Sequence, residues 1–125
     1  MLKYIYTDEA PAPNGHYSQA IEYNGVVYVS GILAVKPDKK GVVTGTIEDE
    51  AKQVFENFAA ILKAAGTTRE KTLKVTVYVS DISLWDKVNE IYSNFFADHK
   101  PARAIVPVKK LHFGLNLEVE AIVAK

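Results

Sequence analysis

The sequence predicts an α+β fold, with two helices packed together on one face of a sheet of five or six strands. Three observations carry the expectation. Two β-prone runs are split by Asn24-Gly25; only two segments repeat their apolar residues at helical spacing; and three further runs have the composition of strands. Two helices cannot cover both faces of such a sheet. The second face is left to seek a partner, so homo-oligomerisation is expected.

The elements follow in order. Residues 1–6 are only briefly apolar, and residues 10–15 (APAPNG) form a turn, because two prolines remove donors and Asn14-Gly15 favours positive φ. Residues 18–23 and 26–30 form a tight hairpin around Asn24-Gly25. Residues 36–45 are a polar loop with room for a short strand at Val42-Val43. A helix spans 46–65, with Ala51, Val54, Phe55, Phe58, Ile61, Leu62 and Ala65 on one face. Thr46 caps it with Asp49 three residues on, and Gly66 is its left-handed stop. Residues 72–79 are a strand, with Leu73, Val75, Val77 and Val79 on one face. A second helix spans about 83–99, with Trp85, Val88, Ile91, Tyr92, Phe95 and Phe96 on its apolar side and Pro101 closing it. Residues 102–108 and 117–124 are the last strands, and adjacency in the chain predicts a simple hairpin between them.

Composition narrows the function. The chain has 125 residues, enough for one domain with its own core. It has no cysteine, which removes disulfides, thiolate metal sites and cysteine nucleophiles. Its 15 basic and 15 acidic residues cancel, so no global field gathers nucleic acid or an anionic membrane. No window approaches the roughly 18 apolar residues of a membrane span, and the N-terminus lacks the pattern of a secretory signal. A soluble, cytoplasmic protein is expected.

His16, His99 and His112 stand far apart and read as loop or surface residues, so no metal site is expected. Nucleotide and serine-hydrolase motifs are absent. Glu48-Asp49-Glu50 reads as favourable charge at a helix start. Arg69, in a polar turn, reads as solvated. The other arginine is more informative. Arg103 stands in the apolar strand PARAIVPV and must find an anion or remain an unpaired charge. Its planar fork suits a carboxylate. Two readings stay open: a ligand's carboxylate, or a structural ion pair with Glu118 or Glu120. Those two glutamates point away from the core face of residues 117–123, and propensity disfavours them in a strand. If Arg103 and Glu120 share a cleft, the arginine lowers the glutamate pKa and suits Glu120 to activate a water. Tyr17 beside the turn either packs its ring or aims a hydroxyl into a pocket. Ser30-Gly31 ends a strand, where glycine allows close backbone approach.

Taken together, the segments GHYSQA at 15–20, VYVSG at 27–31, VNEIYSNFF at 88–96, PAR at 101–103 and EVEAI at 118–122 resemble the RidA (YjgF) family of reactive enamine and imine deaminases. The resemblance implies a chorismate-mutase-like α+β fold, with the last strand placed between the third and fourth. It implies a trimer whose sheets form a central barrel, with clefts between subunits. The implied reaction is hydrolysis of 2-aminoacrylate and its imine tautomer to a 2-keto acid and ammonia, with no cofactor and no metal. By the same resemblance Arg103 clamps the substrate carboxylate, Glu120 positions the water, and Tyr17 faces the ligand. Ser30, Gly31 and Asn89 line the cleft, and Ile105 offers backbone. His16, Ile32, Ala34 and Ile105 depart from the usual family residues and bear on substrate range. The rival readings are a non-catalytic binder of small carboxylates or keto acids, and an RNA-directed role, against which the neutral charge argues.

Overall fold

The computed structural model describes residues 1–39 and 41–125. Six strands, β1 (Lys3–Ile5), β2 (Ala20–Tyr23), β3 (Val26–Ile32), β4 (Thr72–Val79), β5 (Ala102–Pro107) and β6 (Leu117–Ala124), form one mixed sheet. Two helices, α1 (Ile47–Ala65) and α2 (Trp85–Phe96), pack against it. The strand order is β1-β2-β3-β6-β4-β5.

Local signals set several boundaries. Asn24 and Gly25 both take positive φ, 51° and 76°, which is the turn that a two-residue hairpin requires. Thr46 and Asp49 form a reciprocal capping box at the start of α1, and Gly66 ends it at φ 78°. The core lies between the helices and one sheet face. Val54, Phe58, Val88 and Phe96 meet Val27, Val75, Val77, Val119 and Val123, all at or near zero exposure. Each such side chain contributes about 1.5–3 kcal/mol by leaving water.

The structure corrects the sequence reading at six places. A short strand, β1, pairs with β2 at one sheet edge. The expected strand at Val42-Val43 is a single bridge, Val35 to Val42, and residue 40 of that loop lies outside the described residues. In β4, Thr72 registers with Val123 and Lys74 with Ile122, so Leu73 is the extra residue of a bulge. It is half-exposed, and Thr72 is buried in its place. Helix α2 begins after a 3-10 turn, Ile82–Leu84, and stops at Ala97, which takes φ 53°; Pro101 is not the terminator. Arg69 is not merely solvated. Its Nη1 donates to the Phe95 carbonyl at 3.0 Å, and its guanidinium lies 4.0 Å over the Phe95 ring.

The sixth correction concerns topology. β5 and β6 do not pair. β6 runs antiparallel between β3 and β4, as the resemblance implied, and β5 runs parallel to β4 through the α2 crossover. β5 is therefore an edge strand, and most of it is exposed. The sheet face away from the helices carries Tyr28, Lys74, Thr76, Tyr78, Glu118, Glu120 and Ile122, all half-buried or exposed.

Candidate functional site

The named residues fall into two groups on different faces of the sheet. The first gathers around a bulge in β3. Val29 registers with Ala121 and Ile32 with Val119, so Ser30 and Gly31 together oppose the single residue Glu120. Glu120 Oε1 accepts the Tyr78 hydroxyl at 2.6 Å, a bond that raises the Tyr78 pKa above its ordinary value. Glu118 leans over Gly31 so closely that a Cβ there would clash with its Oε2. These groups and residues 108–111 line a cleft of about 440 Å³.

Gly31 also borders a larger cavity of about 520 Å³, lined by Tyr17, Ser30, Ile32, His112, Phe113 and the 11–14 segment. The Ser30 hydroxyl donates to the Ser18 carbonyl at 2.6 Å, which ties the cavity wall together. The Tyr17 hydroxyl accepts from the Asn14 N–H at 3.3 Å, and its ring is half-exposed.

The second group sits where β5 meets α2. Arg103 registers with core-facing Val75, so it lies on the helix side of the sheet. Its guanidinium is 4.6 Å from the Trp85 ring and 5.0 Å from the Tyr92 ring, and Nη1 donates to Asn89 Oδ1 at 3.1 Å. No carboxylate among the described residues pairs with it. The Tyr92 hydroxyl beneath it is buried without a partner among the described residues; burial raises its pKa, and the charge of Arg103 works in the opposite direction. Ile105 follows on the same edge strand, half-buried against the core.

One of the two open readings of Arg103 falls here, and its strand is not buried. Arg103 is not a buried charge, because an edge strand leaves its guanidinium in water. It also shares no cleft with Glu120 in one chain. Glu120 registers with Thr76 on the open face, and the structural ion pair with Glu118 or Glu120 is absent. What remains is a forked cation held by two rings and an amide, with donors free for an external anion.

Several contributors were missed from the sequence. Gln19, 4% exposed, bonds Thr7 and the carbonyl of Pro11 and so fixes the roof of the larger cavity. Its place inside the GHYSQA segment was the available signal. Buried Glu50 accepts the Asn116 N–H and Nδ2, both at 2.9 Å, and so pins the loop that carries His112 and Phe113. It does more than favour the helix dipole. His99 is no free surface residue, since its Nε2 lies 2.7 Å from the Thr72 carbonyl. No cluster of metal-binding side chains occurs among the described residues, and no helix there is long and apolar enough to cross a membrane.

Comparison with known proteins agrees with this geometry. The endoribonuclease L-PSP family profile matches residues 7–125. A RutC family protein of Pyrococcus horikoshii is 41% identical over 125 residues, 100% of this chain and 99% of that one. A rat 2-iminobutanoate/2-iminopropanoate deaminase is 42% identical over 120 residues, 96% of this chain and 88% of that one. The crystal structure of E. coli TdcF with bound serine superposes with a TM-score of 0.93 at 34% identity, covering 98% of each chain. With its six-stranded sheet, its bulge at Gly31 and its match from residue 7 to residue 125, the chain belongs to the endoribonuclease L-PSP family, which is the RidA (YjgF) family the sequence resembles.

Proposed function

We propose that the protein hydrolyses reactive 2-enamine and 2-imine carboxylates to 2-keto acids and ammonia, without a cofactor, in clefts between the subunits of a homotrimer. One observation carries the reading. Arg103 is held in place by Trp85, Tyr92 and Asn89 yet has no acidic partner among the described residues. Glu120 waits on the opposite face. A complete site therefore needs two copies, and the exposed edge strand β5 and the open sheet face are surfaces through which copies can meet. The rat relative's name and the serine bound to TdcF point to the same ligand type, a small carboxylate with nitrogen on the next carbon.

The chemistry asks mainly for positioning. Arg103 grips the carboxylate and so fixes the electrophilic C2 beside it. Glu120 orients a water and takes its proton as oxygen bonds to C2. The carbinolamine then collapses, the C2–N bond breaks, the nitrogen takes back a proton, and ammonia leaves a 2-keto acid. Tyr17, Ser30 and Gly31 wall the cavity that receives the rest of the substrate.

The test generates the imine with an amino-acid oxidase and follows its decay. Wild type accelerates the decay and Arg103→Ala does not, while remaining folded because Arg103 is exposed. Equal rates for the two proteins overturn the reading. Binding of 2-ketobutyrate by calorimetry without hydrolysis favours the non-catalytic alternative.

A further inference from the structure

The cleft around Glu120 holds a second carboxylate that the scheme above leaves without a task. Glu118 stands two residues before Glu120 on the same face of β6, opposite Tyr78 across the strand pair. Its carboxylate lies against Gly31, an approach that any side chain at position 31 would obstruct. The two acids are treated differently by their surroundings. Glu120 accepts the Tyr78 hydroxyl at 2.6 Å, whereas no donor among the described residues reaches Glu118.

We propose that Glu118 is the proton donor of the site, working from the same β6 wall of the cleft as Glu120, which holds the water; this rests on the deaminase reading. The protonated carboxyl gives its proton to the imine nitrogen, or to C3 of the enamine tautomer, which yields the same iminium. Water then adds to C2 and loses a proton to Glu120. In the collapse, Glu120 returns that proton to nitrogen, the carbinol O–H proton restores Glu118, the C2–N bond breaks and ammonia departs. Both carboxyls end as they began.

The environment favours the division of labour. Burial raises the Glu118 pKa, the charge of Glu120 raises it further, and His112 from the preceding loop works against them. Tyr78 faces the pair from β4. Lys109 and Lys110 rim the cleft, but Lys110 Nζ is engaged by Asn116 Oδ1 at 2.7 Å and the Gly114 carbonyl at 3.2 Å, not by Glu118. A carboxyl held toward its protonated form beside a second one that accepts a hydrogen bond is an arrangement suited to acid–base chemistry.

The experiment measures kcat and KM against pH for wild type and Glu118→Gln with oxidase-generated imine. Loss of a general acid lowers kcat by about 100-fold or more. KM stays unchanged, because the carboxylate grip resides at Arg103, and the fall of the wild-type rate on the alkaline side disappears in the variant. Carbon-13 NMR of the side-chain carboxyls, without substrate, shows Glu118 titrating above its ordinary value of 4.5. A wild type that hydrolyses no imine overturns the deaminase reading and this role together. An active wild type whose Glu118→Gln variant keeps its rate, or loses rate but keeps the alkaline limb, overturns the donor role alone.

Discussion

Arg103 and Glu120 lie on opposite faces of one sheet, although they flank the same central strand: Arg103 registers with Val75 of β4 and Glu120 with Thr76. Successive residues of a strand point to opposite faces, so no side-chain rotamer brings the two together within a chain. If they serve one substrate, they come from different subunits. Arg103→Ala and Glu120→Gln are then each inactive alone, yet co-expression restores activity. Random assembly leaves about a quarter of the sites with both groups intact. Imine decay measured on the mixed oligomer checks this, and a mixture as inactive as its parents rules out a shared site.

Trp85 is the sole tryptophan and lies 4.6 Å from the Arg103 guanidinium. A carboxylate that docks on Arg103 changes the field at the indole. Titration with 2-ketobutyrate therefore shifts or quenches tryptophan emission in wild type and does nothing in Arg103→Ala. Asn89→Ala keeps the response but weakens binding, because it removes the 3.1 Å bond that fixes the fork. A full response in Arg103→Ala would place the anion elsewhere.

What was legible in the sequence was what neighbouring residues decide. Asn24-Gly25 announces its own turn, and Thr46, Asp49 and Gly66 announce both ends of α1. Where distant segments decide, the sequence was silent. Alternation in 72–79 placed Leu73 in the core, but a bulge against β6 turns it out. The apolar strand around Arg103 looked buried, yet only topology reveals β5 as an edge. The candidate site residues were nameable through resemblance. Their division between two faces needed the strand register, and the close approach of Glu118 to Gly31 needed the folded structure.

The placement of Glu118 comes at some expense to the fold. Its pKa is raised in the folded state, first by burial and then by Glu120. The protonated form is favoured in the folded chain, so the contribution of Glu118 to stability is fully present below the unfolded value of 4.5 and is lost as pH rises through the higher folded value. Glu118→Gln removes that loss. Its melting temperature exceeds that of wild type at neutral pH, and the gain shrinks to nothing in acid. Thermal melts across pH check the sign; a variant less stable than wild type at neutral pH contradicts it.

Helix α2 ends on an alanine where the backbone asks for glycine. Ala97 has φ 53° and ψ −119°; its N–H donates to the Ser93 carbonyl at 2.8 Å, and the His99 N–H donates to the Phe96 carbonyl at 3.1 Å. These bonds make Ala97 the first central residue of a type II′ turn, a position with positive φ that crowds a Cβ. The strain costs about 1–2 kcal/mol, against about 0.4–1 kcal/mol of extra unfolded-state freedom for glycine. Ala97→Gly therefore stabilises the protein by about 0.5–1 kcal/mol, visible as a higher denaturant midpoint at unchanged slope. Pro101→Ala leaves helical content as it is, because the turn at 97, and not the proline, sets the stop. A longer helix in Pro101→Ala, or a lower midpoint in Ala97→Gly, refutes this account of how α2 is ended and how β5, with Arg103 on it, is launched toward the sheet edge.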